Sequence, residues 1–171
     1  MRGLRVVTSV SLTFAGLLTC LCGCGYSHRQ IFPQQYQTVA APTFENRTFY
    51  RDVQFDLGEA LVKEIERRTH YKVTDPASAD TMLQGVITGV EQTQLARRRP
   101  GGVPQEMEVQ VVVNFEWKDL RTGQTIRDRR GLASVGRYVP TAPLSEPFAM
   151  ARHAAMERLA QDIVTTLQGE W

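Results

Sequence analysis

The chain has 171 residues, with 20 lysines and arginines against 18 aspartates and glutamates, and a formal net charge of +2. Its three cysteines lie together at Cys20, Cys22 and Cys24, so the rest of the chain can form neither a disulfide nor a cysteine metal site. Two of the arginines, Arg2 and Arg5, belong to the N-terminal stretch; without them the charges balance at 20 − 2 = 18 against 18. This balance does not favour nucleic acid as a partner.

The N-terminus has the pattern of a removable signal peptide. Two arginines precede an apolar run from Val6 to Leu21 that is too short for a membrane-spanning helix, which needs about 20 residues. Leu21 and Gly23 stand three residues and one residue before Cys24, the arrangement that the lipoprotein signal peptidase cleaves. We therefore predict a signal peptide over 1–23 and lipid modification of Cys24. An ordinary secretory peptide with incidental cysteines is the alternative.

The predicted location of the protein is the outer membrane. Gly25 follows Cys24, whereas an aspartate at this position commonly retains lipoproteins in the inner membrane. Two or more acyl chains anchor a protein stably to a bilayer. We predict an acylated N-terminus with a short tether over 24–37 and a single periplasm-facing domain over 38–171, a length that can bury its own core.

The first half of the domain combines short strands with one helix. Apolar residues from Val53 to Ile65 recur with the helical period, which predicts an amphipathic helix over about 52–69, with Asp52 as its N-cap. A first strand over 38–41, a loop over 43–48 and a short edge strand over 71–73 flank this helix. A long extended segment over 81–95 follows.

The second half of the domain has the clearest strand pattern. From Met107 to Trp117 apolar and polar residues alternate strictly, which predicts a central strand with one buried face. A turn over 119–123 leads to an antiparallel strand over 124–138, and Ser145 begins the last helix. The predicted fold is α+β: a two-layer sandwich in which two helices pack on one face of a mixed or antiparallel sheet of about four strands.

No catalytic constellation is visible in the sequence. His28, His70 and His153 have no metal-ligand spacing, so we predict no metal and no cofactor. Glu106 and Glu108 share one strand face, where paired carboxylates can perform acid–base chemistry, but solvated glutamates on a half-buried strand are much commoner. The sequence therefore predicts a protein that is not an enzyme.

Two groups of arginines are candidates for binding an anionic lipid headgroup. Arginine pairs bidentately with phosphate, and both groups fall on the same predicted sheet, where they could form one basic edge. A solvated, salt-screened loop is the alternative for the first group. The candidate residues are Arg97, Arg98 and Arg99 in a predicted hairpin loop and Arg127, Arg129 and Arg130 on the following strand.

With these residues identified, the chain resembles the LPS-assembly lipoprotein family (LptE), where LPS is lipopolysaccharide. The resemblance covers nearly the whole mature chain and depends on the order and spacing of several modest motifs. These are Cys24-Gly25-Tyr26, Pro42 to Thr48, Leu57 to Tyr71, Ala79 to Gly85, and Trp117 to Gly123.

The resemblance implies a non-catalytic protein that plugs the outer-membrane β-barrel translocon LptD, helps it assemble and helps deliver LPS to the outer leaflet. It also implies that basic residues contact the lipid's phosphates. The alternative is a periplasmic lipoprotein binding module that resembles the curli-secretion component CsgG or the activators of peptidoglycan synthases. Those proteins share the small α/β layout and similar F-x-N-x-T and D-x-x-T-G segments.

Overall fold

The computed structural model describes residues 32–97, 104–140 and 145–168. The signal peptide predicted over 1–23, Cys24, Arg98 and Arg99 lie outside these described residues. In chain order, the described strands and helices are β1 (Thr38–Ala40), β2 (Glu45–Asn46), α1 (Val53–Arg68), β3 (Lys72–Val73), β4 (Thr81–Arg97), β5 (Pro104–Asp119), β6 (Thr125–Tyr138) and α2 (Ser145–Thr166).

All six described strands belong to one mixed sheet. Its order is β3-β1-β4-β5-β6, and β2 pairs with β4 beside β1. The pairings of β1 with β3 and β4 and of β2 with β4 are parallel, whereas β4, β5 and β6 form an antiparallel meander. The predicted α+β class with a mixed sheet is confirmed. The predicted count of about four strands is too low, because two strands have only two residues each and β2 lies in the segment predicted as a loop.

The two helices cover one face of the sheet because the strands alternate as predicted. Val109, Val111, Val113, Phe115 and Trp117 are buried, and the residues between them are only half-buried. The helices add their own apolar stripes to the same core. The helical members of this core are Val53, Leu57, Leu61 and Ile65 of α1 and Ala155, Met156, Leu159, Ala160, Ile163 and Val164 of α2.

The start of α1 differs from its predicted form. Asp52 precedes the helix as predicted, but its side chain makes no capping hydrogen bond and its φ is 67°. Its backbone carbonyl instead accepts hydrogen bonds from the N–H groups of Phe55, at 3.0 Å, and Asp56, at 3.2 Å. No helix within the described ranges is long and apolar enough to cross a membrane.

The described chain begins in an aromatic cluster at one end of the sheet. The ring of Phe32 meets Tyr71 at 6.0 Å, and the Tyr71 hydroxyl donates a hydrogen bond to the carbonyl of Pro33 at 3.0 Å. Tyr36 is buried, with its ring 5.7 Å from that of Trp117. The segment predicted as a tether is therefore packed against the domain from Phe32 onwards.

Candidate ligand-binding surface

A β-bulge near the middle of the edge strand β6 positions one group of the predicted arginines. Val113 of β5 faces Leu132 and Phe115 faces Arg129, so two residues of β6, Arg130 and Gly131, stand opposite Asn114 alone. Gly131 has φ +65°, and its N–H donates a hydrogen bond of 2.7 Å to the Asn114 side-chain oxygen. Because glycine adopts this backbone conformation without strain, the bulge fixes the position of Arg130.

Arg129 and Arg130 line a cleft of about 510 Å³ that crosses four strands. Its floor includes the half-buried Gln84, Asn114 and Glu116. These residues alternate with the buried side chains of β4 and β5 and therefore point away from the helices. The other lining residues are Pro42, Thr43, Glu45, Gly85, Val86, Phe115 and Asp128. The cleft is thus a polar site whose floor residues Gln84, Asn114 and Glu116 lie on the helix-free face, whereas Arg129, opposite the buried Phe115, borders it from the other face of the sheet.

The carboxylates of the cleft are partly neutralised by neighbouring cations. Glu45 is held by Arg47 through bonds of 2.8 and 3.1 Å, and these bonds lower the pKa of the Glu45 carboxyl. Lys118, 2.6 Å away, lowers the pKa of Glu116, and a hydrogen bond from Gln84 lowers it further. Both carboxylates are therefore ionised and paired at neutral pH.

The remaining charges of the cleft are more basic than acidic. Within the described parts of the chain, neither Arg129 nor Arg130 forms an ion pair, and Asp128 is the only other charged lining residue without one. Counted over the residues that line the cleft, two arginines against one aspartate leave a local excess of positive charge. Guanidinium groups in a polar cleft suit a phosphate-bearing ligand. Arg127, opposite Trp117, does not line this cleft and makes contacts of its own.

The structure separates Arg97 from Arg129 and Arg130, whereas Arg98 and Arg99 lie outside the described residues. Arg97 is opposite Pro104 at one end of β5, and Arg129 is opposite Phe115 near the other end. The two register positions are 115 − 104 = 11 residues apart, or about 36 Å at about 3.3 Å per residue. Pairing β6 backwards from the turn over 119–123 would have revealed this separation from the sequence.

The carboxylates considered for acid–base chemistry have separate surroundings. Glu108 forms an ion pair of 3.0 Å with Arg137 on β6, and Glu106 is opposite Ala96. Among the described residues, no group of three or more histidine, cysteine, aspartate or glutamate side chains lies close enough to hold a metal ion. His70 Nε2 is 3.1 Å from the Tyr36 carbonyl oxygen, a structural contact.

The fold and this cleft define a small α+β domain with one bare polar sheet face. The family model LptE, lipopolysaccharide-assembly, matches residues 36–167. The chain therefore belongs to the LPS-assembly family LptE, and the resemblance inferred from the sequence is confirmed. No curated protein matches the chain significantly.

Solved structures show the same fold at low sequence identity. Protein XCC0632 from Xanthomonas campestris has 10% identity and a TM-score of 0.54, over 76% of this chain and 82% of that one. The PelC dodecamer from Paraburkholderia phytofirmans has 16% identity and a TM-score of 0.52, over 81% and 93%. The hypothetical protein CT253 from Chlamydia trachomatis has 7% identity and a TM-score of 0.50, over 77% and 98%. At these identities the likeness concerns the fold alone.

Proposed function

We propose that this protein is a non-catalytic outer-membrane lipoprotein that plugs and helps assemble an LptD-type β-barrel translocon. In this role it assists the delivery of LPS to the outer leaflet. The match of residues 36–167 to the LPS-assembly family is the observation that carries the proposal. Acylation of Cys24 would hold the domain at the periplasmic side of the outer membrane.

The helix-free face of the sheet supports contact with the barrel and with LPS. Half-buried polar side chains cover much of this face, among them Gln84, Asn114 and Glu116. A plug in an aqueous barrel lumen requires such a hydrophilic surface, because its contacts are distributed and wet. We propose that this face, and not the helical face, meets the barrel wall.

The cleft lined by Arg129 and Arg130 is the proposed position for an LPS phosphate. Charge-assisted hydrogen bonds from guanidinium to phosphate oxygens are among the strongest polar contacts. Gln84 and Asn114 offer amide groups of the kind that hydrogen-bond sugar hydroxyls. Arg97, at the end of β4, is distant from this cleft, so it is kept as a separate predicted site, to which Arg98 and Arg99 were assigned from the sequence.

Affinity purification of the full-length acylated protein from detergent-extracted envelopes tests the proposal. We expect one large β-barrel protein to stay bound in stoichiometric amount through a high-salt wash. Recovery of a peptidoglycan synthase, or of a ring that contains only this chain, would contradict the plug function. Either result would favour the binding-module alternative.

A further inference from the structure

A groove of about 830 Å³ runs along α1, between this helix and the chain that follows β1. The helix lines it from Gln54 to Arg67, a length of 67 − 54 = 13 residues, or about 20 Å at about 1.5 Å per residue. Ala41 and Thr43 form the opposite wall. The remaining lining residues are Phe55, Gly58, Glu59, Val62, Lys63 and Glu66. Because all these residues border one cavity, they form a continuous surface, which we call the α1 groove.

The floor of the α1 groove is apolar and has no side chain at its centre. Phe55 is 59% exposed, and Val62, two helical turns later, is half-buried. Between them, a Cβ added at Gly58 would meet no neighbouring atom within 4 Å, so the fold itself does not require glycine there. Glycine weakens the interior of a helix relative to alanine. Its position instead leaves room for another chain to approach the backbone of α1 closely.

The two cations of the groove already have acidic partners outside it. Lys63 lies 4.0 Å from Glu157 of α2, and Arg67 pairs with Glu64 at 2.8 Å. All four residues border the hollow between the two helices, and neither of the two glutamates lines the groove. The positive charges are therefore compensated on the side of α1 that faces α2.

The acidic residues of the groove have no such partners. Glu59 and Glu66 are exposed and form no ion pair with any described residue. A second copy of this chain, docked groove to groove, would add two more unpaired glutamates and no unpaired cation. An anionic bilayer surface would repel them. Charge complementarity therefore favours a partner that carries basic residues.

The spacing of the groove residues favours a helix as this partner. Phe55 and Val62, like Glu59 and Glu66, are 62 − 55 = 66 − 59 = 7 residues apart, or about 10.5 Å along α1. A second helix laid along α1 repeats its side chains at the same interval. Side chains on one face of an extended strand repeat at about 6.8 Å and its multiples, which do not match this interval.

We propose that the α1 groove binds an amphipathic helix of a second protein. The apolar stripe of that helix covers Phe55, Gly58 and Val62, as amphipathic helices do in apolar grooves. Two lysines or arginines of the partner, seven residues apart, pair with Glu59 and Glu66. The inference does not depend on the plug function, because it rests on α1 and its groove alone.

Photo-crosslinking in the full-length protein tests this inference. Benzoylphenylalanine replaces Phe55 in the protein within its own cells, and mass spectrometry locates the adduct. The matched control carries the same probe at Met150, an apolar residue of α2 that is 70% exposed and lies outside the groove. We expect an adduct at position 55 only, with one helical segment of a second protein that has two lysines or arginines seven residues apart.

Two further variants connect the adduct to the groove. Glu59→Arg combined with Glu66→Arg should lower the adduct yield about tenfold, and exchange of the partner's two cations for glutamate should restore it. Gly58→Leu should also lower the yield, because its side chain fills the groove. Its Tm should be no lower than that of the unsubstituted protein, since nothing in the fold lies where the new side chain begins.

Several results would contradict the proposed helix site. An adduct that survives both the double charge reversal and Gly58→Leu would not come from the groove and would overturn the inference. So would an adduct on a second copy of this chain, on a lipid or on an extended segment, or a yield no greater than at position 150. A co-purified barrel without any adduct at position 55 would overturn this inference and leave the plug function intact.

Discussion

Asp119 shows how one residue fixes the turn on which the end of the sheet depends. Its carboxylate accepts hydrogen bonds from the N–H groups of Arg121, at 2.8 Å, and Thr122, at 3.1 Å. The buried Tyr36 hydroxyl donates a third bond of 3.2 Å from the start of the chain. Burial acts to raise the pKa of Asp119, but these hydrogen bonds outweigh it and lower the pKa.

The lowered pKa of Asp119 predicts acid sensitivity. A carboxylate with a depressed pKa contributes stability that is fully present above its unfolded-state pKa of about 3.9 and is lost as the pH falls through its folded-state value. We expect the Tm to fall as the pH drops below about 4. Asp119→Asn should lower the Tm at pH 7 and make the acid decline shallower, which thermal unfolding followed by circular dichroism would measure.

The matched control for this prediction is Asp162→Asn, at an exposed carboxylate on α2. Its Tm profile should follow that of the unsubstituted protein at each pH. If Asp119→Asn and Asp162→Asn gave the same acid profile, the hydrogen bonds of Asp119 would not be the source of the pH dependence.

At the scale of whole elements, α2 is packed directly against β6. A Cβ placed on Gly136 of β6 would lie far inside van der Waals contact with the backbone carbonyl of Ala151. Arg158 of α2 donates a hydrogen bond of 2.7 Å to the backbone carbonyl of Val135. The helix therefore also supplies a hydrogen-bond donor to the backbone of the edge strand. The helix sits at this distance from the sheet because residue 136 has no side chain.

We therefore expect Gly136→Ala to force α2 away from the sheet. The overpacking should lower the free energy of unfolding by about 1–3 kcal/mol, measured by urea denaturation. Gly89→Ala is the control, because a Cβ at Gly89 would find its nearest neighbour, Val112, at 3.8 Å. That change should be neutral or stabilising by up to about 1 kcal/mol. Equal effects at both positions would contradict the role of the close helix contact.

The two helices are also joined by polar contacts that the periodicity of the sequence does not reveal. Arg152 of α2 is half-buried and paired with Asp56 of α1 at 3.0 Å. At the other end of α1, Arg68 bonds the buried Glu64 at 3.3 Å and reaches the Thr165 hydroxyl of α2 at 3.2 Å. The pair of Arg152 with Asp56 and the bond of Arg68 to Thr165 therefore join the two helices at both ends of α1.

Across the described part of the domain, most of the length of β5 separates Arg97 from Arg129 and Arg130. Sites about 36 Å apart do not contact one phosphate group together, so they must be tested independently. Arg97 and Arg129 therefore do not form one continuous basic edge. The cleft with Arg129 and Arg130 is the candidate that described side chains support.

We expect the double variant Arg129→Glu and Arg130→Glu to weaken LPS binding about tenfold, or about 1.4 kcal/mol, because it replaces attraction to phosphate with repulsion. Isothermal titration with purified LPS would measure this change. Arg121→Glu is the control, since this arginine is 78% exposed in its side chain and lies in a turn outside the cleft. Loss of affinity in the triple glutamate variant of Arg97, Arg98 and Arg99 alone would move the phosphate site to the hairpin.

The sequence by itself determined the positions of the helices and long strands, the burial of alternate residues in β5 and the family. The periodicity of apolar residues and the residue types that form turns are local properties of the sequence. The family motifs between Pro42 and Gly123 can likewise be recognised without the folded structure. The position of Arg130 and the close approach at Gly136 were decided by the tertiary structure. These features follow from strand register, one bulge and helix packing, which arise only when segments distant in sequence meet.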